Sequence, residues 1–188
     1  MKTKYFIHSS AEVDKGAKIG SGTKVWHNSH ITDSAVVGKS CILGQNCYVA
    51  GRIGSHCKLQ NNVNLYQGVT LEDYVFCGPS MTFTNDINPR AKYPKDGKWL
   101  KTKVKEGASL GAGTVILCGI VIGKWAFVGA GSVVTKNIPD FGLYYGNPAA
   151  FKGWICECGA KMTMDFTKYT CKNCSRKYTK KGDKVTRV

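Results

Sequence analysis

Acidic side chains are scarce in this chain: 12 Asp and Glu stand against 27 Lys and Arg, a formal charge of +15 on 188 residues. Such a balance points to anionic partners. No positively charged start leads into an apolar run, so no secretory leader is expected. Long apolar runs are missing too. The best candidate, Val115 to Val134, is broken by Lys124 and four glycines, so no membrane insertion is expected. The interleaving of aromatic and basic residues that marks an RNA-binding module is also absent, and nucleic acid is not the expected partner.

A helical period of 3.6 and a strand period of 2 are lacking as well. What is present is a period of six. Ile7, Val13, Ile19, Val25, Ile31, Val37, Leu43 and Val49 follow one another at that spacing. After a slip of two residues come Ile53, Leu59, Leu65, Leu71, Cys77 and Phe83, and the count resumes at Val104, Leu110, Ile116, Ile122, Val128 and Val134. This predicts an all-β fold, a parallel β-helix whose short strands wind around a prism. Three hexapeptides make a coil, so residues eighteen apart lie above one another. Asn28, Asn46, Asn62 and Ser80 then share a corner that suits left-handed backbone. His30, Tyr48, Asn64 and Thr82 form an outward column with Tyr66 and Thr84 beside it, the strip where a ligand is expected.

Nine cysteines without a leader suit a reducing compartment, here the cytoplasm, and favour metal binding over disulfides. Cys41, Cys47 and Cys57 fall where Ala11, Ala17, Thr23, Ser29, Ala35, Ala108, Thr114, Ala126 and Ser132 also fall, a slot for small inward side chains. Cys77 occupies an aliphatic slot, and Cys118 lies at a coil corner. Between residues 86 and 103 the pattern stops for a segment with two prolines, a glycine and many charges, which reads as a projecting loop.

Hexapeptides such as Ile122-Gly-Lys-Trp-Ala-Phe and Val128-Gly-Ala-Gly-Ser-Val resemble the left-handed β-helix acyltransferases. Several stretches narrow the resemblance: Val25-Trp-His-Asn-Ser-His-Ile31, Leu59-Gln-Asn-Asn-Val63, Phe76-Cys-Gly-Pro-Ser80, Phe83-Thr-Asn-Asp, Asn88-Pro-Arg90 and Gly146-Asn-Pro-Ala149. Together they are similar to bacterial N-acetyltransferases that acetylate a 3-amino sugar on UDP or dTDP. The resemblance spans roughly residues 5 to 155. It implies a left-handed coil, an exception to the right-handed crossover rule. It also implies a cytoplasmic homotrimer serving surface (lipopolysaccharide-type) polysaccharide synthesis, with acetyl-CoA held between neighbouring prisms.

The expected chemistry is attack of the sugar amine on a thioester, with backbone N–H groups of a glycine-rich coil steadying the oxyanion. Asn85 matches the family's active-site asparagine and is expected to orient the amine. The competing reading is a corner asparagine in left-handed backbone. His30 is the candidate base, although positioning alone suits an amine nucleophile. His27, Gln60, Asn61, Tyr66 and Arg90 are candidate substrate contacts, Arg90 as a fork for a carboxylate or diphosphate. Gly111, Ala112, Gly129 and Gly131 are expected along the pantetheine path, with Asn147 and Pro148 beyond. Where the family carries a basic residue after Pro148-Ala149, this chain has Ala150, and Lys152 is expected to take over the phosphate contact.

Residues 1–150 thus read as the β-helix domain and 151–188 as a separate module. Cys156-Glu-Cys158-Gly and Cys171-Lys-Asn-Cys174 have the spacing of a four-thiolate structural Zn²⁺ ribbon, with a tight turn at Gly159. Such a module binds a partner, binds the donor's phosphates or caps the coil stack. The acceptor sugar stays open. Asn88-Pro89-Arg90 resembles enzymes acting on a UDP-2-acetamido-3-amino-2,3-dideoxy-glucuronate, and Asn85-Asp86 resembles enzymes acting on a dTDP-3-amino-3,6-dideoxyhexose. Two other classes compete: a zinc hydratase on the same coil, for which His27-x-x-His30 has the wrong step, and a non-catalytic scaffold or nucleic-acid binder acting through the basic ribbon.

Overall fold

The structure, a computed structural model, describes residues 5–95, 97–163 and 167–188. Strands of two or three residues build three flat sheets, one per prism face. The first face stacks Ile7, Val25, Leu43, Leu59, Cys77, Leu110 and Val128 in parallel register. The second carries Val13, Ile31, Val49, Leu65, Phe83, Ile116 and Val134, and the third Ile19, Val37, Ile53, Leu71, Val104 and Ile122. Every slot of the six-residue period therefore points inward. From Val25 to Val134 none is more than 3% exposed. Ile7, Val13 and Ile19, in the first described coil, are only partly buried.

The small slots do more than fill space. Thr23 Oγ1 donates to the Gly38 carbonyl at 2.8 Å and Ser29 Oγ to the Gly44 carbonyl at 2.7 Å. The Cys41, Cys47 and Cys57 thiols continue the ladder onto Gly54, Gln60 and Glu72 carbonyls at 3.1, 3.2 and 3.1 Å. Each satisfies a corner carbonyl of the next coil. Cys77 is fully buried, and desolvation pushes its thiol far above the ordinary range. Cys118, at its corner, is 4% exposed, and its N–H donates to Thr84 Oγ1 at 3.0 Å.

Asn28, Asn46, Asn62 and Ser80 adopt the left-handed conformation predicted for their corner, and Asn46 Nδ2 donates to Asn62 Oδ1 at 3.2 Å. A second left-handed column, not foreseen, runs through Ser40, His56, Tyr74, Trp125 and Phe141. It escaped the sequence reading because its residue types are mixed rather than rich in asparagine. The two-residue slip shortens the corner between Val49 and Ile53. Gly51 is required there, since a Cβ would stand 2.3 Å from Leu65 Cδ2 and 2.5 Å from the Val69 carbonyl.

The projecting loop leaves the second face after Phe83 and rejoins the third at Thr102–Val104. Thr102 and Lys103, assigned to the loop from sequence, are strand residues, because they pair with Val69 and Thr70 of the preceding coil. At the far end, Gly142–Tyr145 pairs with Phe127–Val128, then with Ala150–Ile155, which pairs in turn with Lys161–Met162. One sheet therefore runs from prism into tail, across residues 150 and 151. A three-stranded sheet, Lys168–Thr170, Lys177–Lys181 and Lys184–Arg187, completes the tail. Its core of Trp154, Met162, Tyr178 and Val185 packs on Phe141 and Trp125 of the last coils, with the Phe141 and Tyr178 rings 5.3 Å apart. Among the described residues, no helix is long and apolar enough to cross a membrane.

Leu65, 0% exposed, sits mid-stack. Leu65→Ala is expected to lower unfolding free energy by roughly 2–5 kcal/mol, and Gly51→Ala by roughly 1–3 kcal/mol. Ile42→Ala, at a position 37% exposed, should cost no more than about 0.5 kcal/mol. Urea midpoints of the three variants check the ranking.

Candidate active site

The outward strip on the second face is assembled as the eighteen-residue spacing predicts. His30, Tyr48, Asn64 and Thr82 are register neighbours. The His30 and Tyr48 rings meet edge-on at 5.7 Å, and Tyr48 and Tyr66 tilt together at 5.6 Å. His30 Nε2 lies 3.0 Å from Asp14 Oδ1, a pairing that orients the imidazole. Asp14 was missed from sequence. Its signal was available: it stands two residues past Glu12, which is in register with His30. The ligand atoms of Glu12, Asp14 and His30 lie within 4.8 Å of one another.

His27 sits at the corner before this face, its ring stacked on His8 at 3.5 Å and nearly parallel to Trp26. Its Nδ1 is buried without a hydrogen-bond partner. Asn61 is at the same corner, where Oδ1 accepts the Gln45 N–H at 2.9 Å. That bond ties two coils together and leaves the side-chain amide free on the surface. Gln60 is half-buried beside it. Tyr66 is at the opposite corner, so these candidates frame the second face rather than converge on one point.

Asn85 does converge with Arg90. Both line a cleft of about 470 Å³ at the root of the projecting loop, together with Asp86, Pro89, Lys95 and Trp99. Asn85 is not in the left-handed conformation, so the competing corner reading fails and its side chain is not explained by backbone geometry. Asp86 anchors the loop. Its carboxylate pairs with Lys95 and accepts the Asn88 N–H at 2.9 Å. The Lys95 ammonium, then that N–H, hold the carboxyl below the ordinary carboxylate range. His30 is not part of this cleft. Three rungs separate His30 from Thr82, roughly 14 Å, so within one prism His30 and Asn85 do not share an amine.

The residues expected along the donor path occupy one corner near the C-terminal end of the stack. Gly111 and Gly129 have structural reasons to be glycine: a Cβ would meet Ala130 N at 2.4 Å and Tyr145 Cβ at 2.7 Å. Gly131 is left-handed with open space beside it, and Ala112 is exposed on the coil above. The turn containing Asn147 and Pro148 is tied to this corner, Gly146 N donating to Ser132 Oγ at 3.1 Å and Ala149 N to the Val133 carbonyl at 2.8 Å. Lys152 Nζ lies 5.3 Å from the centre of the Tyr145 ring, which keeps its ammonium at the same end.

In the tail, the Sγ atoms of Cys156, Cys158, Cys171 and Cys174 lie within 4.8 Å of one another. Cys156 and Cys174 are 3.5 Å apart, Cys158 and Cys171 3.7 Å. Tetrahedral Zn–S bonds place sulfurs about 3.8 Å apart, so the donor set fits. Gly159 is left-handed after the first knuckle as expected, and Ser175 plays that part after the second. Burial pushes the Cys156 thiol up to about 12, while the Arg176 N–H draws Cys174 down to about 6. A divalent cation would hold all four as thiolates. Glu157 forms ion pairs with Arg176 at 3.1 Å and Arg187 at 3.0 Å, fastening the knuckle to the sheet.

Residues 16–51 and 101–136 match the bacterial transferase hexapeptide repeat, a model of six repeats. The prism is a left-handed hexapeptide β-helix. Among curated proteins, the chain is 50% identical over 78 residues to a dTDP-3-amino-3,6-dideoxy-alpha-D-galactopyranose 3-N-acetyltransferase of Aneurinibacillus thermoaerophilus, covering 42% of this chain and 40% of that protein. It is 36% identical over 97 residues to a galactoside O-acetyltransferase of Lactococcus lactis, covering 47% and 44%. The chain thus spans less than half the length of these relatives. Of solved structures, a UDP-N-acetylglucosamine acyltransferase from Bacteroides fragilis superposes with a TM-score of 0.68 at 16% identity, over 80% of this chain and 61% of that one, a likeness of fold alone.

The Asp86 carboxylate is ionised at neutral pH, and its lowered value means that the loop anchor is complete above the ordinary carboxylate pKa and is lost as pH falls through that lowered value. Trp99 shares the cleft. Its emission, isolated by difference from Trp99→Phe, should shift only at pH below about 4. In Asp86→Asn the shifted emission should already be present at pH 7.

Proposed function

We propose that this chain is an acetyl-CoA-dependent N-acetyltransferase acting on the 3-amino group of a nucleotide-linked amino sugar. The observation that carries the reading is the cleft at the loop root, where Asn85 and Arg90 face the same space. The half-identical relative, named for acetylation of a dTDP-linked 3-amino sugar, supports it. The neutral amine attacks the thioester carbonyl carbon and forms the C–N bond. The C–S bond breaks, and the departing thiolate takes up the proton that the nitrogen loses. Asn85 is assigned to orient the amine, whose lone pair needs direction more than activation. His30, held by Asp14, is assigned to the outward strip rather than to the amine at Asn85. A trimer with clefts shared between prisms is proposed from the hexapeptide-repeat match. The acetyl donor is assigned to the Gly131, Asn147 and Lys152 corner, and the tail to structural Zn²⁺.

Two acceptors remain in view. A UDP-linked 2-acetamido-3-amino uronic acid gives Arg90 a carboxylate to fork onto. A dTDP-linked 3-amino-3,6-dideoxyhexose is favoured by the half-identical relative's name. The enzyme is assigned to cytoplasmic synthesis of surface polysaccharide, where its thiols stay reduced.

Thiol release from acetyl-CoA, followed with each acceptor, tests the reading. Asn85→Ala should lower kcat on the true acceptor by on the order of tenfold or more. A change within about threefold would remove Asn85 from the amine. Arg90→Ala should raise KM for the uronic acid and leave the deoxyhexose unaffected. For the tail, one zinc per chain is expected by elemental analysis of protein purified without added metal. Cys171→Ser should lose that ion and unfold the tail while the prism keeps its β signature.

A further inference from the structure

The shortened corner at Ala50, Gly51 and Arg52 leaves a recess in the prism. Its neighbours keep full turns, closed by Ala35 N onto the Thr32 carbonyl at 3.0 Å and Val69 N onto the Tyr66 carbonyl at 3.3 Å. Ala50 and Gly51 are drawn inward and buried. A groove of about 500 Å³ results, lined by Ser34, Gly51, Arg52, Gln67, Thr70 and Lys101 among others. Three cations border it, and they are not equivalent. Lys103 is held by Glu72 Oε1 at 2.7 Å. Arg52 and Lys101 are exposed and have no ion pair among the described residues. Arg52 and Lys103 pair with Thr70 from opposite sides in the third face. Lys103 is therefore two rungs from Arg52, and Lys101, two residues back along the chain, is roughly 12 Å from Arg52 between backbones; both line the same groove.

The groove opens beside the root of the loop. Thr102 N donates to the Gly68 carbonyl at 3.0 Å, and Asn85 follows Gln67 one coil on, in the register that pairs Asn64 with Thr82. We infer that this groove binds the diphosphate of the nucleotide-linked sugar, with Arg52 and Lys101 as its two cationic jaws. A guanidinium and an ammonium lining one recess match a diphosphate better than a single carboxylate. A sugar's 3-amino group lies two ring carbons from the anomeric carbon that carries the phosphate. Gln67 lines the groove and Asn85 stands one coil on from it, so a diphosphate seated here leaves the sugar ring on the Asn85 side. The inference rests on the nucleotide-sugar reading and adds where the acceptor is anchored and by which residues.

Binding can be read without turnover. Isothermal titration calorimetry with UDP and with dTDP, each without sugar, is compared with CoA on the wild type and on Arg52→Ala, Lys101→Ala and Lys103→Ala. Arg52→Ala and Lys101→Ala should each weaken the nucleoside diphosphate at least tenfold, shift CoA less than twofold and leave the melting temperature unchanged. Lys103→Ala should change neither ligand by more than about threefold, because its charge is already neutralised by Glu72. Loss of CoA affinity instead would assign the groove to the donor and overturn the inference. Unchanged affinity for both ligands would overturn it as well. Nucleotide binding through Arg52 and Lys101 without acetyl transfer to any 3-amino sugar would uphold the anchor and sink the proposed activity.

Discussion

In-register stacking of aliphatic side chains inside a narrow prism is the constraint on which everything else depends. Nearly every short strand contributes one inward Val, Ile or Leu, worth about 1.5–3 kcal/mol when fully buried, with Cys77 and Phe83 in the remaining slots. No strand is long enough to be stable alone. Only the coil beneath completes its backbone hydrogen bonds and covers its side chain, so stability accumulates along the axis. Small slots obey the same rule: Thr23, Ser29, Cys41, Cys47 and Cys57 reach a corner carbonyl of the next coil, while Thr114 and Ser132 turn back onto the Gly111 and Gly129 carbonyls of their own coil. Cys41, Cys47 and Cys57 are thereby explained as hydrogen-bonding core residues, distinct from the cysteines of the tail.

The two recesses that border the projecting loop lie where the period fails. Two interruptions fall at the same corner. The two-residue slip at Gly51 recesses the wall, and the excursion after Phe83 builds a cleft around Asn85 and Arg90. Because the loop's return strand pairs with the coil it left behind, the prism below and above remains in register. The coil stack thus tolerates a charged, proline-containing segment without losing its core. The tail meets the stack differently. It continues the first face through Ala150–Ile155 and covers the last coil with aromatic rings. That arrangement closes an end that would otherwise expose unpaired strand edge.

The fold was legible to the level of single residues, because a period of six leaves few alternatives and each slot can be checked against its neighbours eighteen away. The left-handed asparagine corner and the aromatic strip follow from the same arithmetic. The second left-handed column at Ser40, His56, Tyr74, Trp125 and Phe141 did not, since backbone conformation there is imposed by the coil on residues with no shared preference. Asp14 is a different case. The register that pairs Glu12 with His30 placed it nearby, but that its side chain reaches the imidazole is a matter of side-chain reach, which spacing does not give.

What the chain determines by itself is the period, the inward slots, the loop's position and the four thiols, all consequences of residue type at fixed intervals. The tertiary structure alone decided which polar residues share a space. It joined Asn85 to Arg90, separated His30 from both by roughly three rungs, and left Arg52 and Lys101 beside one recess with no ion pair among the described residues while Glu72 holds Lys103. Those outcomes depend on where each coil turns and how far each side chain reaches. Both are properties of the stacked prism, and no single hexapeptide contains them.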